Sequence, residues 1–184
     1  VLAGNFNLTN IQELFDKLVS LGQYPKLKSD TITVLEKIGH FLDEEVQQLF
    51  DWYKPEGYSR EQINPLIFEN LDICRILQKA CRKFDGGYVM AGMIGHGDAF
   101  VLRDPNGIRP AFYYQDDEIV AVASERPALM TALEVPFSKV QEITPGTALI
   151  IKKNGTVGEI EVLEEKPKKS CTFERIYFSR GNDR

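Results

Sequence analysis

Residues 85–103 read DGGYVMAGMIGHGDAFVLR, and at this stretch the pattern of the chain changes. Before Asp85 apolar residues recur at helical spacing. After it they come in short runs bounded by Gly, Pro, Asn and Asp, the texture of an antiparallel sheet. Working downstream, the spacing predicts strands at Tyr88–Ile94, Ala99–Arg103, Ala111–Tyr114, Ile119–Ala123, Ala148–Lys152 and Val157–Val162. Pro105-Asn106-Gly107, Asp116-Asp117 and Asn154-Gly155 supply the turns between them. Pro127 to Leu133 reads as one short helix, and Thr172 to Phe178 as a last strand.

Working upstream, all of the first 84 residues read as helical. Thr9 and Gln12 stand as in a capping box around the start of a helix bearing Ile11, Leu14, Phe15, Leu18 and Val19, with Gly22 as its stop. Ser29 and Asp30 offer N-caps to a second helix whose Ile32, Leu35, Ile38 and Leu42 share a face. Pro65 suits the first turn of a third, longer helix reaching from Leu66 to Phe84. Helices first and strands second define an α+β class, with helices laid over one face of a mostly antiparallel sheet. Val89–Ile94 and Ile119–Ala123 are apolar for most of their length, so those strands call for a layer on both faces.

With 184 residues, 43% apolar and 27% charged, the chain has the balance of one folded domain, which excludes intrinsic disorder. Twenty-two basic against 27 acidic residues give a net charge of −5 with no basic stripe, which argues against nucleic acid as a partner. No apolar run approaches the roughly 20 residues of a membrane span, and the opening VLAGNFNLTN lacks the pattern of a signal peptide. The expectation is a cytoplasmic chain with no membrane partner. Cys74, Cys81 and Cys171 form no CxxC pair, so free thiols are expected in place of a disulfide scaffold or structural zinc. Position 1 is Val, and the chain stops at YFSRGNDR straight after a strand-like run, the marks of a piece of a longer protein.

Few residues offer chemistry. His40 and His96 stand near no nucleophile motif and read as structural. Cys74 and Cys81, seven apart on a helix, read as core thiols, and Gly95-His96-Gly97-Asp98 as a hairpin turn. The amide-rich run from Gly4 to Asn10 sits just ahead of a helix. It can serve as an oxyanion hole, or be an Asn-rich turn before a cap. Asp30 caps the next helix, whose N-terminus favours a negative charge able to hold a substrate ammonium group.

Taken together, Gly4 to Asn10, Ser29-Asp30-Thr31, RDPNGIRP at 103–110, Ala123-Ser124-Glu125 and Pro145-Gly146 resemble the class II glutamine amidotransferases in order and spacing. The run CTFERIYFSR at 171–180 is similar to the junction between the glutaminase and transferase domains of amidophosphoribosyltransferases. The resemblance covers nearly the whole chain. It implies an N-terminal-nucleophile αββα sandwich, two antiparallel sheets between helical layers, truncated because the opening strands are missing. Residues 1–184 would be a partial glutaminase domain, with 171–184 starting the junction to a phosphoribosyltransferase domain.

The implied reaction hydrolyses glutamine and passes the ammonia to phosphoribosylpyrophosphate, making phosphoribosylamine for purine synthesis. The family's nucleophile is a processed N-terminal cysteine, absent here, so the chain alone is expected to be inactive. By resemblance Asn5 is the oxyanion-hole asparagine and Asp30 the aspartate that binds the substrate's α-ammonium. The second oxyanion donor is the backbone N–H of a residue that is usually glycine in the family and is Phe6 here. A position needing positive φ would strain Phe6.

RDPNGIRP reads as architecture, with Arg103, Asp104 and Arg109 bonding near the end of the sheet. Cys171 lies where cluster-bearing members place one iron–sulfur ligand, which leaves the cluster open because four ligands are needed. No cofactor is implied within the chain, and magnesium belongs to the transferase domain. Homotetramers are common in the family. The alternatives are another class II amidotransferase or a non-catalytic regulatory domain of the same fold.

Overall fold

The computed structural model describes residues 1–178. Its elements are β1 (Leu2–Leu8), α1 (Ile11–Ser20), α2 (Asp30–Tyr53), α3 (Arg60–Asn70), α4 (Ile73–Cys81), β2 (Gly86–Met93), β3 (Ala99–Arg103), β4 (Phe112–Gln115), β5 (Val120–Ala123), α5 (Arg126–Leu133), β6 (Gln141–Glu142), β7 (Thr147–Ile151) and β8 (Val157–Glu161). One antiparallel sheet has the order β1-β2-β3-β7-β8 and the other β5-β4-β6.

Strand alternation sorts the core into three layers. On β3 and β7, Phe100, Leu102, Ala148 and Ile150 face helices α1, α2 and α4, where they meet Leu14, Val34, Ile38, Ile76 and Leu77. Their neighbours Val101 and Leu149 point the other way, into a core shared with Tyr113 of the second sheet and Ile143 just past β6. Phe112 and Tyr114 then cover the far side of that sheet against Leu129 of α5. Helices, sheet, sheet, helix is an αββα sandwich. Covering both faces of β3 and β7 is what their unbroken apolar runs require.

The second sheet is narrower than the first. Val89 of β2 is packed beneath it, but Ala91 and Met93 on the same face are exposed, as are Ala3, Asn5 and Asn7 of β1. One face of β1 and the outer half of β2 is therefore open.

Four readings of the sequence are corrected. Residues 2–8 form a strand, because Leu2, Phe6 and Leu8 alternate with Ala3, Asn5 and Asn7 at a period of two and pair with β2 over their whole length. The helix that follows has Asn10 at its N-cap, and the Thr9 hydroxyl bonds the Asp85 carboxylate across the strands in place of a capping box. The expected Leu66–Phe84 helix is two helices. α3 starts earlier, with Ser59 and Gln62 forming its capping box, and Pro65 lies inside it; Asp72 then caps α4 by accepting the Arg75 N–H at 2.9 Å. Residues Thr172 to Phe178 wind as helical turns instead of a strand, with Phe173 stacked on Tyr177, a contact that helical spacing brings about. The expected domain junction extends through residues 179–184, which lie outside the described residues.

Candidate functional site

The phase of the β1–β2 ladder decides what β1 can offer a ligand. Val1 and Met93 exchange both bonds, each at 2.9 Å. Antiparallel pairs alternate in type, so Ala3–Ala91, Asn5–Val89 and Asn7–Gly87 also exchange hydrogen bonds, and in the same phase the Thr9 N–H donates to the Asp85 carbonyl at 2.8 Å. The N–H groups of Gly4, Phe6 and Leu8 therefore point away from β2. β1 ends the sheet, and no described strand pairs with that outer edge.

Asp30 lies at the same edge. Ser29 caps the start of α2 by accepting the Ile32 N–H at 3.4 Å, which sets Asp30 in the first turn. From there Asp30 Oδ2 accepts the outward Leu8 N–H at 2.9 Å. Phe6 donates two residues back along the same edge, roughly 7 Å away by strand geometry. Between the two donors in sequence, Asn7 projects onto the open face, and Asn5 stands on that face just before Phe6. The structure thus gathers Asn5, Phe6 and Asp30 along one strand edge. Cys171 is half-buried near the C-terminal turns and is not part of this group.

Phe6 has no positive φ; Glu134 is the one non-glycine residue in that region among those described. The ring enters the core beneath the helices, lying across Gly4, where a Cβ would come within 2.7 Å of Phe6 Cζ. A large residue at position 6 is thus housed by a glycine at position 4, and the strand stays extended. The strain expected from a non-glycine at this position does not arise.

The run 103–110 builds the end of the sheet beside β1. Arg103 is 2% exposed. Its Nε donates to the Arg109 carbonyl at 2.7 Å, and its Nη1 donates to Glu142 at 2.8 Å and to the Ile143 carbonyl at 2.6 Å. Asp104, fully buried, accepts the N–H groups of Asn106 (3.1 Å), Ile108 (3.0 Å) and Arg109 (3.1 Å). Burial pushes the Glu142 carboxyl up, but the Arg103 guanidinium outweighs it and holds the group below the usual carboxylate range.

Sequence reasoning missed a second polar cluster, in the Gly95–Asp98 turn. Asp98 is buried, accepts the Lys153 N–H at 2.8 Å and meets the Lys152 ammonium at 2.5 Å and His96 Nε2 at 3.0 Å, while His96 stacks on Phe68 of α3. Nothing in a Gly-His-Gly-Asp turn signals this, because Lys152 and Lys153 arrive from the turn that follows β7. Cys74 and Cys81 lie on α4 as expected, Cys81 fully buried with its thiol pushed up to about 12 by desolvation. Among the described residues no group of three or more His, Cys, Asp or Glu is placed to hold a metal ion.

Two antiparallel sheets between helical layers form an α+β sandwich with the architecture of the N-terminal-nucleophile fold. The comparisons are more particular. No family model matches the chain. Amidophosphoribosyltransferase from Escherichia coli is 31% identical over 97% of the chain and 32% of its own length, and that from Pasteurella multocida is 29% identical over the same shares. The enzyme of that name from Saccharomyces cerevisiae is 32% identical over 65% of the chain. The glutamine phosphoribosylpyrophosphate amidotransferase structure from B. subtilis, complexed with ADP and GMP, aligns over the whole chain and 33% of its own, with a TM-score of 0.68 at 24% identity. A structure described as the allosteric regulatory enzyme of purine biosynthesis aligns likewise, with a TM-score of 0.70. Curated amidophosphoribosyltransferases match nearly the whole chain, which corresponds to a part of such an enzyme and spans about a third of the length of these relatives.

No described helix is long and apolar enough to cross a membrane.

Proposed function

We propose that the outer edge of β1 is the glutamine-binding half of a glutaminase site, part of an enzyme that supplies ammonia to phosphoribosylpyrophosphate. The observation that carries this reading is the spacing along one edge. A carboxylate sits at Leu8, a free backbone donor lies at Phe6, and an exposed amide side chain is presented at Asn5.

In this reading Asp30 pairs with the α-ammonium of glutamine while still accepting the Leu8 N–H through Oδ2. The side-chain carboxamide then lies toward Phe6. When a cysteine thiolate attacks that carbon, the oxygen becomes negative, and Asn5 Nδ2 and the Phe6 N–H are donors for it. An S–C bond forms and the C–N bond breaks. The departing nitrogen takes up the proton that the thiol gave up and leaves as ammonia, and water then cleaves the thioester to give glutamate and restore the thiol. The thiolate comes from a processed N-terminal cysteine in a longer form of the protein. The ammonia displaces pyrophosphate from phosphoribosylpyrophosphate in a further domain. Because the half-buried Phe6 ring packs against the core beneath the helices, the change from glycine leaves the backbone donor in place, which favours turnover over a non-catalytic role.

The test is glutaminase turnover in the longer enzyme, with and without phosphoribosylpyrophosphate. Asn5→Ala is expected to lower kcat by about 10²–10³-fold, the usual cost of one oxyanion donor. Asp30→Asn should raise the KM for glutamine with a smaller effect on kcat. An Asn5→Ala enzyme as fast as its parent, or an Asp30→Asn enzyme with unchanged glutamine dependence, overturns the assignment.

A further inference from the structure

The ladder of β1 and β2 has a gap at its functional end. Asn7 faces Gly87, which has no side chain to set beside the asparagine. The space is taken by Ile108, reaching in from the 103–110 loop. A Cβ built on Gly87 would lie 2.7 Å from Ile108 Cγ2 and 3.0 Å from its Cβ. Directly opposed side chains in an antiparallel pair stand about 5 Å apart, and diagonal ones about 7–8 Å. Ile108 therefore occupies the lateral position of a β2 side chain, next to Asn7 and diagonal to Asn5, on the face where both asparagines are exposed.

What holds Ile108 there is unusually fixed for a loop. Its own N–H bonds Asp104 Oδ1 at 3.0 Å, and the next N–H bonds Asp104 Oδ2 at 3.1 Å. The Asp104 N–H in turn donates to the Tyr88 carbonyl of β2 at 2.9 Å, the residue after Gly87. The outer side of the loop is tied to the C-terminal segment. Arg109 pairs with Glu174, Lys166 and Lys169 N–H groups donate to the Pro105 and Asn106 carbonyls at 2.9 and 2.8 Å, and Asn106 Nδ2 donates to the Pro167 carbonyl at 3.0 Å. The loop has the β1–β2 end on one side and residues 166–174 on the other.

We propose that Ile108 is a positioning residue for the asparagine face of β1, and that the Arg109–Glu174 ion pair sets its place. The claim deepens the reading given under Proposed function and rests on it for its link to catalysis. Ile108 touches no reacting atom. It supplies the side wall that Gly87 lacks and narrows the orientations open to Asn7 and, one diagonal away, to Asn5. An oxyanion donor is effective only when it is already aimed, so a loosened wall lowers turnover without loosening substrate binding. The segment 166–174 then acts on the site through one ion pair and one side chain.

Two measurements test this. In the 184-residue chain, backbone amide exchange reads local opening. Ile108→Ala is expected to speed exchange of the Asn5 and Asn7 amides at least tenfold and leave the β3–β7 amides within twofold. Glu174→Gln should give about threefold at the same amides, and the exchanged pair Arg109→Glu with Glu174→Arg should bring them back. A uniform change across both sheets, or no change at Asn5 and Asn7, overturns the positioning claim. In the longer enzyme, Ile108→Ala should lower kcat for glutamine about tenfold with KM within twofold, and Ile108→Val should recover most of it. A raised KM with kcat intact overturns the link to catalysis. If the exchange pattern appears but Asn5→Ala is itself fully active, the glutaminase reading has failed and the positioning of β1 stands.

Discussion

Replacing Arg103 by methionine would remove the most connected charge in the interior while keeping a similar apolar stem. The guanidinium is 2% exposed and serves two carbonyls at short range, those of Arg109 at 2.7 Å and Ile143 at 2.6 Å, with a weaker contact to Gly107 at 3.4 Å. Each buried carbonyl left without a donor costs about 1–3 kcal/mol. Glu142 also loses its partner, but its side chain is 40% exposed and Lys168 stands 3.6 Å away, so water and that lysine absorb most of the loss. The carbonyls therefore dominate, and the expected loss is about 4 kcal/mol, a large share of the roughly 5–15 kcal/mol that holds a domain folded. Urea unfolding of the 184-residue chain followed by circular dichroism measures it. Arg103→Lys, which keeps the charge but cannot reach both carbonyls with a planar fork, should lose about 2 kcal/mol and remain foldable. Lys168→Ala should lose less than about 0.5 kcal/mol, as exposed pairs do. A loss below about 1.5 kcal/mol for Arg103→Met would show that the two carbonyls find other donors, and the reading of 103–110 as a rigid frame would fall.

Two further outcomes follow from the geometry. At Asp98 burial pushes the carboxyl up, but Lys152, the Lys153 N–H and His96 together outweigh it, and the group is held below the ordinary carboxylate range. A carboxyl lowered on folding contributes stability that is present above its unfolded pKa, about 3.9, and is lost as pH falls through the lower folded value. Asp98→Asn should thus cost stability at pH 7 and flatten the acid limb of the stability curve; a variant whose loss is the same at pH 7 and pH 2.5 would refute this. Gly146→Ala should destabilise by more than about 1 kcal/mol, because the residue has φ +80° and an added Cβ would lie 2.4 Å from the Leu163 carbonyl; an unchanged urea midpoint would show that the β7 entry relaxes freely.

Much of the sheet was legible because its strands are short apolar runs bounded by turn residues. Ala99–Arg103 has the predicted limits, and the other downstream strands shift by a residue or two. β1 was not legible for a physical reason. Its inward residues Leu2, Gly4, Phe6 and Leu8 include a glycine where an apolar side chain would have completed the alternation, because the Phe6 ring already fills that space. Asn5, Asn7 and, just past the strand, Asn10 then read as a turn. β6 has two residues, too few for any period to register.

The same limit governs the site. Asn5, Phe6 and Asp30 were found through their resemblance to a family, since on residue chemistry alone an Asn-rich turn and a helix cap explained them equally well. What separates those explanations is ladder phase. Shifting β1 by one residue against β2 would turn Phe6 and Leu8 inward toward β2 and send the N–H groups of Asn5 and Asn7 to the edge instead, with the Phe6 ring on the open face. Asp30 would lose the Leu8 donor it holds at 2.9 Å. The hydrophobic faces of Leu2, Phe6 and Leu8 forbid that shift, since all three are packed beneath the helices. Burial on one face of a short strand thus determines which backbone donors reach the edge, and a change from glycine to phenylalanine that looks adverse in the sequence adds to the burial that fixes the register.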